Sequence, residues 1–145
     1  MKFGEKINGV AYRERDAVYA VVLDAEEKVA IIFQNGKGFL PGGGLKLGEE
    51  HITCLKRECI EETGYSLDSQ RFIGAAQQFF KSRQGEYIMN NGYFYTGSFG
   101  NYVKKPNEED HELVWIKVDE AEKILLHSSH GWAVKRAIRQ DGKRV

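Results

Sequence analysis

Glu58, Glu61 and Glu62 stand three and four residues apart in the stretch Pro41 to Tyr65, PGGGLKLGEEHITCLKRECIEETGY. On a helix that spacing gathers three carboxylates on one face, where like charges at such separations repel. Positive charge is therefore expected over the face. Hard divalent cations held by oxygen suit it best, and they would make the stretch a centre for phosphate chemistry. The competing reading is a solvated helix face paired with Lys56 and Arg57, but it leaves the preceding run Gly42-Gly43-Gly44 without a purpose. Read as a flexible turn, that run does nothing more. Read functionally, it lets backbone amides and carbonyls approach metal or phosphate at a distance a Cβ would block.

Other reactive or charged side chains are more scattered. Lys37, Lys81 and Arg83 fall in turn segments, where they either meet a substrate phosphate or are simply solvated. Tyr87, Tyr93 and Tyr95 can stack on a base or pack in a core. His127 and His130 have the spacing of a partial zinc site, yet no cysteine or acid cluster accompanies them, so packing or a helix start is the expected role. Cys54 and Cys59 are five residues apart on the predicted helix, about 140° around it, and cannot bridge. They read as small buried hydrophobes rather than catalytic thiols. The basic tail Lys135, Arg136, Arg139, Lys143 and Arg144 is better explained as cations complementing a helix C-terminus than as an RNA contact.

These residues need a scaffold, and the hydropathy pattern outlines one. A short edge strand is expected at Val10–Tyr12. Ala17 to Leu23 is nearly all apolar, as in a strand buried on both faces, and Val29 to Phe33 follows a polar turn, so the two read as a hairpin. After the turn-rich Gln34 to Gly38, the extended piece Phe39-Leu40-Pro41 delivers the chain into the glycines. The helix spans about Glu50 to Thr63, with Ile52, Leu55 and Cys59 on a face beside the acidic one, and Gly64 closes it. Phe72–Phe80 and Tyr87–Gly97 read as strands about the turn at Lys81 to Glu86, and a polar loop then runs from Gly100 to Asp110. Glu112–Lys117 is a last strand, Asp119 and Glu122 have capping-box spacing, and a final helix covers Ser129–Gln140. Hairpin connections in an α/β chain imply a mixed sheet.

A length of 145 residues suits a single domain over 1–145. Lys plus Arg and Asp plus Glu balance at 21 each, so no net field draws the chain to nucleic acid or an anionic membrane. The start MKFGEKINGV lacks the apolar centre of a signal peptide and no run approaches 18 apolar residues; a cytoplasmic protein is expected.

Gly43, Glu49, Arg57-Glu58, Glu61-Glu62 and Gly64, at these intervals, resemble the Nudix box of the MutT-type hydrolases, here residues 43–65. Cys59 and Tyr65 fill aliphatic positions of the box, and Trp115 followed by Asp119-Glu120-Ala121 also fits the family. The resemblance implies an α/β/α sandwich with a mixed central sheet and a loop–helix–loop catalytic motif. It implies Glu58 and Glu62 as principal metal ligands, joined by Glu61 directly or through water, with the Gly42 carbonyl as a further ligand. Glu49 and Arg57 would brace the loop against the helix. A later carboxylate completes many such sites, and Glu112 fits best, with Glu109 its rival. Lys46 departs from the pattern, standing where many members carry a glutamate.

The implied function is Mg²⁺- or Mn²⁺-dependent cleavage of a phosphoanhydride in a nucleoside diphosphate linked to another moiety. All-carboxylate ligation favours those ions over zinc. Either Glu58 or Glu112 can serve as general base, while Lys37, Arg83 and Tyr95 are candidate substrate contacts. Within the class, a triphosphate pyrophosphatase and an ADP-ribose or nucleotide-sugar hydrolase both remain open. Outside it stands a nucleotide-binding regulator that has lost turnover. The partner expected is a small-molecule nucleotide, with no nucleic acid or membrane, and a homodimer is compatible with the family.

Overall fold

The computed structural model describes residues 1–106 and 110–142. In chain order its elements are β1 (Lys2–Phe3), β2 (Arg13–Val22), β3 (Lys28–Gln34), β4 (Lys37–Phe39), β5 (Gly42–Gly44), α1 (His51–Thr63), β6 (Tyr65–Lys81), β7 (Tyr87–Tyr102), β8 (His111–Lys117), α2 (Val118–Ile124) and α3 (Ser128–Gly142).

The apolar run in β2 accounts for the layering. Successive side chains on a strand point to opposite faces, and both faces of β2 are covered. Val18, Ala20 and Val22 pack with Cys54, Leu55 and Cys59 of α1. Ala17, Tyr19 and Val21 pack with Phe94 of β7 and with Ala133, Val134 and Ala137 of α3. A strand covered on both sides has no place for polar alternation, and the result is the α/β/α sandwich.

One sheet has the order β1-β6-β7-β2-β5 and the other β4-β3-β8. Strand β2 runs parallel to β7 and antiparallel to β5, while β6 and β7 form an antiparallel hairpin. The first sheet is therefore mixed, as the hairpin-rich pattern predicts.

Several local expectations are corrected. β2 and β3 are not a paired hairpin: they join different sheets and touch through one isolated bridge, Leu23 to Val29. Residues Val10–Tyr12 form no strand, and the edge strand is β1, parallel to β6. β6 starts at Tyr65 rather than Phe72, because its polar first half, with only Leu67 buried, pairs with β7 through irregular register shifts. The N-cap of α2 is Lys117 with no side-chain cap bond; Asp119 lies in the first turn, complementing the helix dipole rather than closing a capping box. The glycine run is an edge strand, β5, registered against Ala17, Val18 and Tyr19.

Gly64 ends α1 in the left-handed region at φ 84°, its N–H bonded to the Ile60 carbonyl. Cys54 and Cys59 are buried and unbridged. Burial pushes both thiols up to about 12, so neither is a thiolate at neutral pH. No helix among the described residues is long and apolar enough to cross a membrane.

Candidate active site

Helix α1 sits beside β5 because its inward face, Cys54, Leu55 and Cys59, is committed to the core. That orientation sets the next face of the helix against the glycine strand. The Gly42 amide donates to Glu62 Oε1 at 2.8 Å, and Glu62 is itself buried. At Gly43, the position a Cβ would occupy lies 2.7 Å from the Glu58 carboxyl carbon. Glycine there is a matter of space: a side chain would displace the Glu58 carboxylate.

Arg57 ties the helix to the loop before it. Its Nε and Nη2 donate to the two oxygens of Glu49 at 2.9 and 3.0 Å, and its Nη1 donates to Glu58 at 3.0 Å and to Glu61 at 3.3 Å. The bidentate fork to Glu49 has the geometry that makes Arg–carboxylate pairs strong and directional. Part of the positive charge that the acidic face demands is therefore supplied from within the helix. These bonds, with a further one from the Lys46 amide, hold the Glu49 carboxyl down from its ordinary 4.5 to about 2. A carboxyl depressed on folding contributes stability that is present above its ordinary pKa and lost as pH falls through the folded value. We expect stability to decline between pH 4.5 and about 2, and Arg57→Ala to show a shallower decline over that window. Denaturant unfolding across the acid range checks this; matching slopes for the two proteins would remove Arg57 as the cause.

Glu58 and Glu62 line a cavity of about 350 Å³ together with Gly42, Gly43 and Gly44. Arg15 of β2, His111 of β8 and His127 line it too; local sequence marks out neither Arg15 nor His111, and it points His127 to packing or a helix start rather than to a cavity. Arg15 donates to Asn90 Oδ1 at 3.1 Å, and Asn90 Nδ2 donates to the Tyr19 hydroxyl at 3.2 Å. His111 Nδ1 stands 3.5 Å from Glu62 Oε2 and is a buried nitrogen without a hydrogen-bond partner. Burial, with Arg15 and Lys37 nearby, lowers His127 to about 4, so its imidazole is neutral at physiological pH. His130 is structural: fully buried against Tyr19, it accepts the Leu40 amide proton on Nδ1 at 3.2 Å.

The remaining candidates divide. Lys37, Lys81 and Arg83 line an adjoining lobe. Tyr95 does not reach the cavity; its hydroxyl bonds His51 Nδ1 at 2.9 Å, and its ring packs on Phe72. Tyr93 packs on the same histidine, and Tyr87 packs on Tyr12. Glu61 is tied to Arg57 and lies outside the cavity lining. Glu112 is also elsewhere. Strand register pairs His111 with Gln34 and Glu112 with Phe33; His111 and Gln34 line the cavity, whereas Glu112 is exposed on the opposite face of β8. Glu109, Lys143 and Arg144 lie outside the described residues. Within the basic tail, Lys135 pairs with Glu122, Arg136 lies over the Trp132 ring and Arg139 is in the last turn of α3.

The NUDIX domain profile matches residues 13–137, and the chain belongs to that family. Among solved structures it resembles a NUDIX hydrolase from Nitrosomonas europaea, with TM-score 0.75 and 17% identity over 88% of this chain and 90% of that one. A MutT NUDIX hydrolase from Burkholderia pseudomallei aligns at TM-score 0.68 and 22% identity over 86% and 98%. An ADP compounds hydrolase aligns at TM-score 0.68 and 12% identity over 90% and 74%. A search of curated protein sequences finds no significant match. The protein is thus a Nudix hydrolase, of a family that acts on small nucleotides and generally uses a divalent metal.

Among the described residues no three His, Cys, Asp or Glu side chains already converge on one point: Glu58 is turned to Arg57, and Glu62 to the Gly42 amide. The chemistry of the wall nonetheless fits a hard cation. Two carboxylates from adjacent turns of α1 enter the cavity, no thiolate lines it, and the space over Gly43 is kept clear for one of them.

Proposed function

We propose that the chain hydrolyses a phosphoanhydride in a nucleoside diphosphate linked to another moiety, with Mg²⁺ or Mn²⁺ held chiefly by Glu58 and Glu62. The observation that carries this reading is the entry of both carboxylates, from one helix face, into a cavity walled by a glycine strand and shared with Arg15. Glu61, outside the lining, would join through water, and Gly42, which lines the cavity, would add its carbonyl to the proposed ligand set. The metal would neutralise phosphate charge and lower the pKa of a bound water.

The chain's own residues do the rest. Arg57 and Glu49 fix the helix against the loop, so that the two carboxylates keep one geometry. Arg15, braced by Asn90, offers a guanidinium to phosphate oxygens, the geometry that such groups recognise best. Glu58, which lines the cavity where Glu112 does not, would be the carboxylate that takes a proton from water. The water oxygen bonds to phosphorus, the bridging P–O bond breaks, and the bridging oxygen leaves on the second phosphate. A single domain spanning 1–145 with reduced thiols, working in the cytoplasm, accords with this reading.

A panel of nucleoside di- and triphosphate derivatives tests it, with product release measured in the presence and absence of Mg²⁺ or Mn²⁺. We expect turnover of at least one derivative, abolished by chelator and restored by either ion. Tight binding of a nucleotide with no turnover under any metal would instead make the chain a nucleotide-binding regulator.

A further inference from the structure

The cavity at Glu58 and Glu62 continues into a second lobe of about 280 Å³, with Gln34, Phe39, Phe80 and His127 lining both. The two lobes differ in charge. The first carries two carboxylates and Arg15; the second carries Lys37, Lys81 and Arg83, and no carboxylate among its described lining. Lys37 and Arg83 make no ion pair among the described residues, while the Lys81 ammonium lies 5.4 Å from the centre of the Tyr87 ring.

Two independent elements present these cations. Lys37 opens β4 directly opposite Gln34 of β3. Arg83 rides on the β6–β7 turn, which is closed by Ser82 N–H to the Glu86 carbonyl at 2.7 Å, Gly85 N–H to the Ser82 carbonyl at 2.9 Å, and Glu86 N–H to Ser82 Oγ at 3.0 Å. Cations converging on one concavity from separate turns repel each other and raise the local concentration of anions. A neutral sugar in the lobe would leave that field unanswered, whereas phosphate oxygens would form charge-assisted hydrogen bonds with it.

Resting on the hydrolase reading above, we infer that the preferred substrate carries phosphate beyond the two groups of the cleaved anhydride, seated in the lobe of Lys37, Lys81 and Arg83. The substrate class is then a nucleoside tri- or polyphosphate rather than a nucleoside diphosphate ending in an uncharged sugar.

The test compares kcat/KM, with Mg²⁺ present, for ATP and diadenosine tetraphosphate against ADP-ribose and UDP-glucose. It uses the wild-type chain and a Lys37→Ala/Arg83→Ala variant; both substitutions are in turn-proximal positions away from the core. The wild type should favour the polyphosphates by about tenfold or more. The double variant, which keeps Lys81, should shrink that ratio severalfold, mainly through KM, and added salt should erode the wild-type ratio more than the variant's. Equal or better rates on the sugars, or a variant that lowers both sets alike, would overturn the inference while the hydrolase reading stands. Failure of all four compounds with either metal would overturn both.

Discussion

Glu62→Gln is expected to lower turnover by about 10²- to 10⁴-fold, the range typical for loss of a group that acts on charge in the transition state, while leaving the fold intact. The two parts of that expectation have separate physical grounds. The Gly42 amide needs an acceptor on residue 62, and it receives one at 2.8 Å from Glu62 Oε1. A glutamine oxygen can accept the same bond, so the contact between α1 and β5 survives and thermal unfolding should move little. What glutamine cannot supply is the negative charge in a buried wall shared with His111, and a divalent cation depends on that charge. Calorimetric titration with Mg²⁺ or Mn²⁺ should show weaker binding, in step with the loss of kcat. Near-wild-type kinetics in a folded Glu62→Gln protein would remove Glu62 from the metal assignment and shift the weight to Glu58 and Glu61.

The sequence makes the acidic face legible for a specific reason: its parts are local. Glu49, Arg57, Glu58, Glu61 and Glu62 lie on one loop and one helix, where spacing alone fixes which side chains share a face. The resemblance has Glu49 and Arg57 bracing the loop against the helix, and in the structure a bidentate bond joins the two side chains. The apolar run in β2 likewise announces a strand covered on both sides. Legibility ends where tertiary register takes over. Arg15, Asn90, His111 and His127 come from four separate stretches: β2 beside β7 brings Arg15 to Asn90, β8 beside β3 brings His111 to Gln34, and His127 comes from the connection between α2 and α3. Alternation along His111–Lys117 shows that His111 shares a face with Leu113, and Glu112 with Val114, but not which face meets α1. Packing answers that: Leu113 joins the cluster under α1 and Val114 the opposite one, so His111 enters the cavity and Glu112 does not. The separation of β2 from β3 into two sheets has the same origin, since a polar turn between two apolar strands fits a paired hairpin and a sheet crossover equally well.

Gly42→Ala is expected to act in the opposite way from Glu62→Gln, removing stability first and activity with it. Gly42 has φ 150°, a backbone region L-residues rarely enter, and an added Cβ would overlap the Val18 carbonyl oxygen and lie 2.8 Å from Tyr19 Cα. Both are backbone atoms of β2, buried between the helical layers, so no flexible side chain can yield. Relief requires β5 to move off β2, breaking the register of Val18 with Gly43 and Tyr19 with Gly42 and withdrawing the amide that holds Glu62. We expect a loss of about 3 kcal/mol or more, at the upper end for a single substitution. Gly9→Ala supplies the control: Gly9 has φ 80°, but nothing lies within 4 Å of its added Cβ, so the cost should be only the backbone term of about 1 kcal/mol. Denaturant unfolding of the two variants separates steric overlap from conformational preference. Equal destabilisation would show that β5 can shift without harm, and the Gly42–Glu62 contact would then be an incidental one. If instead Gly42→Ala unfolds readily and its folded fraction turns over slowly, the glycine strand is what holds Glu62 in register for phosphate chemistry.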